Sequence, residues 1–170
     1  MAELNIKYSS NQTITCDVAS LTSSSTFTSG RESNQIDNAT TNKFVDAIVK
    51  GKVTVGSTPA IDSHIFIFVW GSDVSLATEA IDTLDGIDSD ESLSNSGILD
   101  SAFKLGAVIR IGATTDNLAY DFAPFSVARL FGGSMPKFWG LYVTHNTGSA
   151  LNVTAANHVF RYVGVTYTIV

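Results

Sequence analysis

Hydrophobic and polar residues alternate with period two along much of this chain, the pattern of strands that bury one face. Over residues 45–55 one face reads Val45, Ala47, Val49, Gly51, Val53 and Val55. The other reads Phe44, Asp46, Ile48, Lys50, Lys52 and Thr54. The four-residue spacings Phe44/Ile48 and Val45/Val49 would also suit a helix over residues 41–50. The alternation continues through Gly51, where a helix would stop, so the pattern predicts one long strand bent at that glycine. Residues 101–113 repeat the signal, with Phe103, Leu105, Ala107, Ile109 and Ile111 expected on one face. The run 64–70 is apolar on both faces, Ile65, Ile67 and Val69 against Phe66, Phe68 and Trp70, as a central strand requires. Residues 137–145 set Trp139, Leu141 and Val143 against Phe138 and Tyr142, and residues 158–170 are β-branched and aromatic almost throughout.

Weaker strands are predicted over 11–18, 22–28 and 151–154, for about eight in all. The one helix expected is short, 124–131, with Pro124 early and Gly132-Gly133 at its end. Many strands punctuated by Gly, Asn and Ser, with almost no helix, predict an all-β fold, an antiparallel β-sandwich. Residues 11–170 read as a single domain preceded by an N-terminal arm, 1–10, in which Leu4, Ile6 and Tyr8 alternate ahead of a polar break. Such an arm can frame a sheet edge or lie across a neighbouring subunit by strand addition. Residues 71–100 interrupt the strand rhythm as a long acidic loop with eight Asp or Glu residues and no Lys or Arg. Loops of that length usually have a job or are disordered.

Composition narrows the function. A chain of 170 residues that is 44% hydrophobic can bury a core without disulfides or metals. Only 15% of residues are charged, and 20 Ser with 18 Thr fill the gap, so hydroxyls and amides wet the surface. The net charge is −6, and ten basic residues spread along the sequence argue against nucleic acid as a partner. No run approaches the roughly 20 apolar residues of a membrane span, and the start lacks a signal-peptide pattern, which predicts synthesis in a cytoplasm. Cys16 is the only cysteine and reads as a small, half-buried strand residue.

The acidic segment 82–91 invites a calcium reading and fails it. With Gly86 in the glycine place of the helix–loop–helix template, Ile81 and Ser92 would fall at its first and last ligands. His64, His145 and His158 lie too far apart to show a ligand pair, and each is expected to satisfy a backbone group near a strand end. No nucleophile elbow, phosphate loop or zinc-protease motif is present, so no catalytic, cofactor or metal residue is assigned and an enzyme is not expected. Trp70, Trp139, Phe125, Phe131 and Phe138 could line a groove, but their strand spacing assigns them to the core. The residues expected at a protein interface are Leu4, Ile6 and Tyr8 in the arm and Asp85 and Asp88 in the acidic loop.

Four segments carry a resemblance. Ser29-Gly30-Arg31-Glu32-Ser33-Asn34-Gln35-Ile36-Asp37-Asn38, Gly51-Lys52-Val53-Thr54-Val55-Gly56, Ala123-Pro124-Phe125-Ser126-Val127-Ala128 and Pro136-Lys137-Phe138-Trp139-Gly140-Leu141-Tyr142-Val143-Thr144-His145-Asn146 resemble small virion proteins of tailed bacteriophages. The resemblance implies a capsid decoration, or cement, protein with a jelly-roll body. It further implies a homotrimer on the capsid exterior that bridges major capsid proteins. The alternatives are a tail-associated or receptor-binding virion module and a non-viral carbohydrate-binding sandwich.

Overall fold

In the computed structural model, which describes residues 3–169, two antiparallel sheets face each other across one hydrophobic core. Met1, Ala2 and Val170, at the outer ends of the predicted arm and last strand, lie outside the described residues. The strands are β1 (Leu4–Tyr8), β2 (Gln12–Thr13), β3 (Ser29–Glu32), β4 (Ile36–Asp37), β5 (Asp46–Thr54), β6 (His64–Ser72), β7 (Ser89–Ser92), β8 (Phe103–Arg110), β9 (Ala119–Ser126), β10 (Phe138–His145) and β11 (Val159–Ile169). One sheet, here sheet A, runs β1-β11-β5-β9, with β2 continuing the β1 edge along β11. The other, sheet B, runs β7-β3-β10-β6-β8, with β4 also on β10. Except at the β6–β8 neighbours, the chain crosses between sheets each time it passes from one long strand to the next.

The core forms where the alternation predicted it. Ala47, Val49 and Val53 from sheet A meet Ile65, Ile67, Val69, Trp139, Leu141 and Val143 from sheet B, all fully buried. Each buried Val, Ile or Leu among them contributes roughly 1.5–3 kcal/mol relative to exposure. Gly51 lies where β5 and β11 come closest: a Cβ there would sit 2.0 Å from the Val159 carbonyl oxygen. The predicted bend appears at the same place as a bulge. Val49 pairs Phe125 and Gly51 pairs Phe122, so one residue of β5, Lys50, faces two of β9, Ala123 and Pro124. A proline is tolerated there because β9 is an edge strand and the bulge has no ladder bond to lose.

Four expectations are corrected. The helix predicted over 124–131 shrinks to α2 (Val127–Leu130), because Pro124 belongs to β9. Of the strand predicted over 11–18 only β2 remains, and residues 22–28 and 151–154 form turns and irregular chain, in which Leu151 is still buried. The single face predicted for 103–111 is split. Ile67 pairs Ala107 while Phe68 pairs Leu105, so Gly106 is an extra residue in β8. One inserted residue turns every later side chain to the opposite face. Ile109 and Ile111 therefore enter the core, Phe103 packs on the outer side of sheet B, and Leu105 is exposed.

The fourth correction concerns residues 71–100, which are a folded cap over the outer face of sheet B. They contain β7, a single helical turn, α1 (Gly97–Ser101), and four buried leucines, Leu76, Leu84, Leu93 and Leu99. These pack on Trp70, Phe103 and Tyr142 as a second hydrophobic cluster. The two residues before β4, Asn34 and Gln35, act as the clasp. Gln35 donates its backbone N–H to the Gly86 carbonyl at 2.9 Å and accepts from the Leu76 N–H at 2.8 Å. Asn34 accepts from the Asp88 N–H at 2.8 Å.

Candidate protein-binding face

The two outer faces of the sandwich differ. That of sheet B is covered over much of its area by the cap, which explains why β6 and β10 are apolar on both sides. Among the described residues no segment is laid over that of sheet A, and its side chains fall into two zones along β11.

The first zone is a two-stranded ribbon. β1 pairs only with the last five residues of β11, Leu4 with Ile169, Ile6 with Tyr167 and Tyr8 with Val165. β5 pairs with β11 no further than Val165. Beyond that point the ribbon extends past the core, whose end is closed by the Phe44 ring over Gly164. Directly paired residues of an antiparallel ladder share a face. Leu4, Ile6, Tyr8, Val165, Tyr167 and Ile169 therefore form one apolar face, and Asn5, Lys7, Thr166 and Thr168 the polar reverse. Sequence reading found the β1 half of this face. It missed the β11 half, because alternation tells which residues share a side and not whether that side is covered.

The second zone is a cationic groove of about 390 Å³, lined by Asn11, Lys50, Lys52, Asp121, Pro124 and Arg161 among others. Lys50 stands directly opposite Arg161, and Lys52 opposite Asp121. Like charges opposed across a ladder are destabilising, and among the described residues none of these three cations forms an ion pair. The expectation that the basic residues form no cluster is thus corrected: register brings Arg161 beside Lys50 and Lys52, over a hundred residues earlier in the chain.

Asp85 and Asp88 lie in the cap, on the other sheet from Leu4, Ile6 and Tyr8. Asp88 is engaged within the chain. It accepts from the Arg31 Nε at 2.6 Å and from the Asp17 N–H at 3.0 Å, while Asp90 accepts from the same guanidinium at 3.1 Å. Burial opposes the Arg31 charge, but the two aspartates outweigh it and raise its pKa. Asp85 is exposed and bonds the Ile87 N–H through its side chain. Beneath them Glu32 is fully buried, its two oxygens accepting from the Asp85 and Gly86 N–H groups at 3.0 and 2.9 Å. Burial outweighs those donors and pushes the Glu32 carboxyl up to about 8.

The remaining candidates serve the interior. His145 Nε2 lies 3.0 Å from the Leu21 carbonyl oxygen, and burial lowers its pKa to about 4. His158 bridges the Asn152 carbonyl and the Thr54 N–H, and its pKa is lowered by burial. His64 stacks on Phe66. Trp70 and Trp139 are fully buried, and Phe125, Phe131 and Phe138 pack against the two clusters. Cys16 is in the core outside any strand, where burial raises its thiol pKa. Comparison with protein-family models, curated proteins and solved structures finds no match to this chain.

Proposed function

We propose that this protein works by presenting the outer face of sheet A to other protein surfaces, as a structural component of a virion. The observation that carries the reading is the contrast between the two faces. The chain lays most of residues 73–100 over sheet B and leaves on sheet A an apolar ribbon beside a cationic groove. Interfaces are enriched in Tyr and apolar side chains at the centre with charge at the rim, which is the arrangement of these two zones.

The specific assignment is a capsid decoration protein, seated on the exterior of a bacteriophage shell and stabilising it by bridging major capsid proteins. It draws on the resemblance of the four segments quoted above. The strand order agrees with it: taking β1 and β2 as one broken strand and setting aside β4 and β7, the sheets read 1-8-3-6 and 2-7-4-5. We read that order as two Greek keys wrapped into a jelly roll. A homotrimer would contact the shell three times at once, and effective concentration would then raise occupancy by orders of magnitude without a strong single site.

The test is to mix the purified protein with empty capsids and measure stoichiometry and heat resistance. Saturable binding in a fixed ratio to the major capsid protein, with a higher disruption temperature, is expected. Capsids that bind none refute the assignment.

A further inference from the structure

The apolar ribbon has no intramolecular reason to be apolar. Five of its six hydrophobic side chains stand in water, Leu4 65% exposed, Ile6 58%, Tyr8 62%, Tyr167 53% and Ile169 77%, and the sixth, Val165, is half-buried where the ribbon meets β5. We propose that this face is covered by the same face of a second copy of the chain, the ribbons packing together about the symmetry axis of a homo-oligomer. The inference deepens the protein-binding reading of sheet A and rests on it only in treating the ribbon as an interface.

Three arguments favour a second copy over a foreign protein. The first is charge. Each copy carries −6, so two copies meet at least electrostatic cost where acids are absent. The six side chains of the face include no ionisable group except two tyrosine hydroxyls, and Lys7 lies on the reverse. The second is self-complementarity. The face is a block of aliphatic and tyrosine side chains from five paired residues on each of two strands, so stacking it on itself sets apolar against apolar at every position. A face that is apolar throughout can meet its own kind about a two-fold or a three-fold axis alike. The third is area. With side chains of roughly 150–220 Å² each, the exposed fractions offer on the order of 600 Å² of apolar surface per copy. Doubled by a second copy this reaches about 1,200 Å², the lower bound of specific interfaces. The cationic groove, further along β11, stays open for the shell.

The test is sedimentation velocity of the full chain between about 1 and 100 μM at two salt concentrations. The wild type is expected to self-associate over this range, and to do so more strongly at high salt, where repulsion between the −6 copies is screened. Ile6→Lys with Tyr167→Lys should weaken association at least tenfold. Leu4→Ser with Ile169→Ser, a milder pair, should weaken it several-fold, and Lys7→Glu on the reverse should leave it unchanged. All positions are exposed, and an unaltered melting temperature verifies folding. A wild type that stays monomeric at 100 μM overturns the inference, as does association that survives both double variants or falls equally with Lys7→Glu. Capsid binding separates the two readings. A monomeric wild type that still binds shells sinks the self-contact alone, and an oligomer that binds no shell sinks the decoration reading alone.

Discussion

Replacing Leu84 by alanine tests whether residues 71–100 are a packed cap or a solvated acidic loop. Leu84 is fully buried, in contact with the cluster of Trp70, Leu76, Leu93, Leu99, Phe103 and Tyr142. Truncation removes three carbons from that cluster, a transfer loss of about 2 kcal/mol at ~0.8 kcal/mol per methylene. The Trp70 and Tyr142 rings belong to the sheet and cannot follow the missing side chain, so a cavity remains, and the total should reach about 3 kcal/mol. Urea denaturation measures the loss if the cap and sandwich unfold together, as the shared Trp70 and Tyr142 predict. If the cap opens alone, the loss appears instead as faster amide exchange at Leu84, Gly86 and Leu93. These donate respectively to Ile81, to the Glu32 carboxylate and to Thr28. The control is Ile87→Ala in the same segment, which is exposed and should cost less than about 0.5 kcal/mol. The reasoning fails if Leu84→Ala costs no more than Ile87→Ala by both measurements, because an unpacked loop would not distinguish them.

Three further outcomes are expected. Stability should fall as pH rises toward and through about 8, because folding raises the Glu32 pKa from 4.5 to about 8 and the favoured proton is then lost. Urea midpoints between pH 5 and 9 measure this, and Glu32→Gln should flatten the slope; parallel curves for the two proteins would exclude Glu32 as the cause. His145 acts in the opposite direction: its pKa falls from 6.5 to about 4 on folding, so its contribution is present above 6.5 and lost as pH falls through 4. At ~1.4 kcal/mol per pKa unit the loss is at most about 3 kcal/mol, and His145→Gln should remove it from the acid limb of the same titration. Gly51→Ala should cost roughly 1–3 kcal/mol by thermal melting, because the new Cβ meets the backbone oxygen of Val159 and no side-chain rotation relieves it.

The sandwich was legible because its long strands carry their faces in their own residues. Val49 and Val53, or Leu141 and Val143, need no partner to show which side is buried. Alternation does not show a change in partner. Gly106 turns β8 over, and only pairing with β6 reveals it, since the residues on either side still alternate. The cap was missed for a related reason. Leu76, Leu84, Leu93 and Leu99 are unevenly spaced, so each is buried by its own turn of chain and no period links them. The acids between them made the segment look solvated, although Asp88 and Glu32 are both tied down beneath it. The cationic groove was unreadable in principle, because Lys50 and Lys52 lie over a hundred residues from Arg161 and only the β5–β11 register joins them.

The ribbon stands between these cases and carries the functional argument. Its alternation is as regular as that of the core strands, and taken alone it predicts burial. β11 keeps an apolar odd-numbered face through Val163, Val165, Tyr167 and Ile169, although β5 leaves it at Val165. The hydrophobic face of β11 thus continues four residues beyond its last pair with β5, where only β1 remains beside it. Leu4, Ile6 and Tyr8 extend that face onto the adjoining strand in matched register. Here a regular apolar pattern and the burial available in the single chain disagree over six paired residues, and a local inconsistency of this kind is where a functional contact is to be sought.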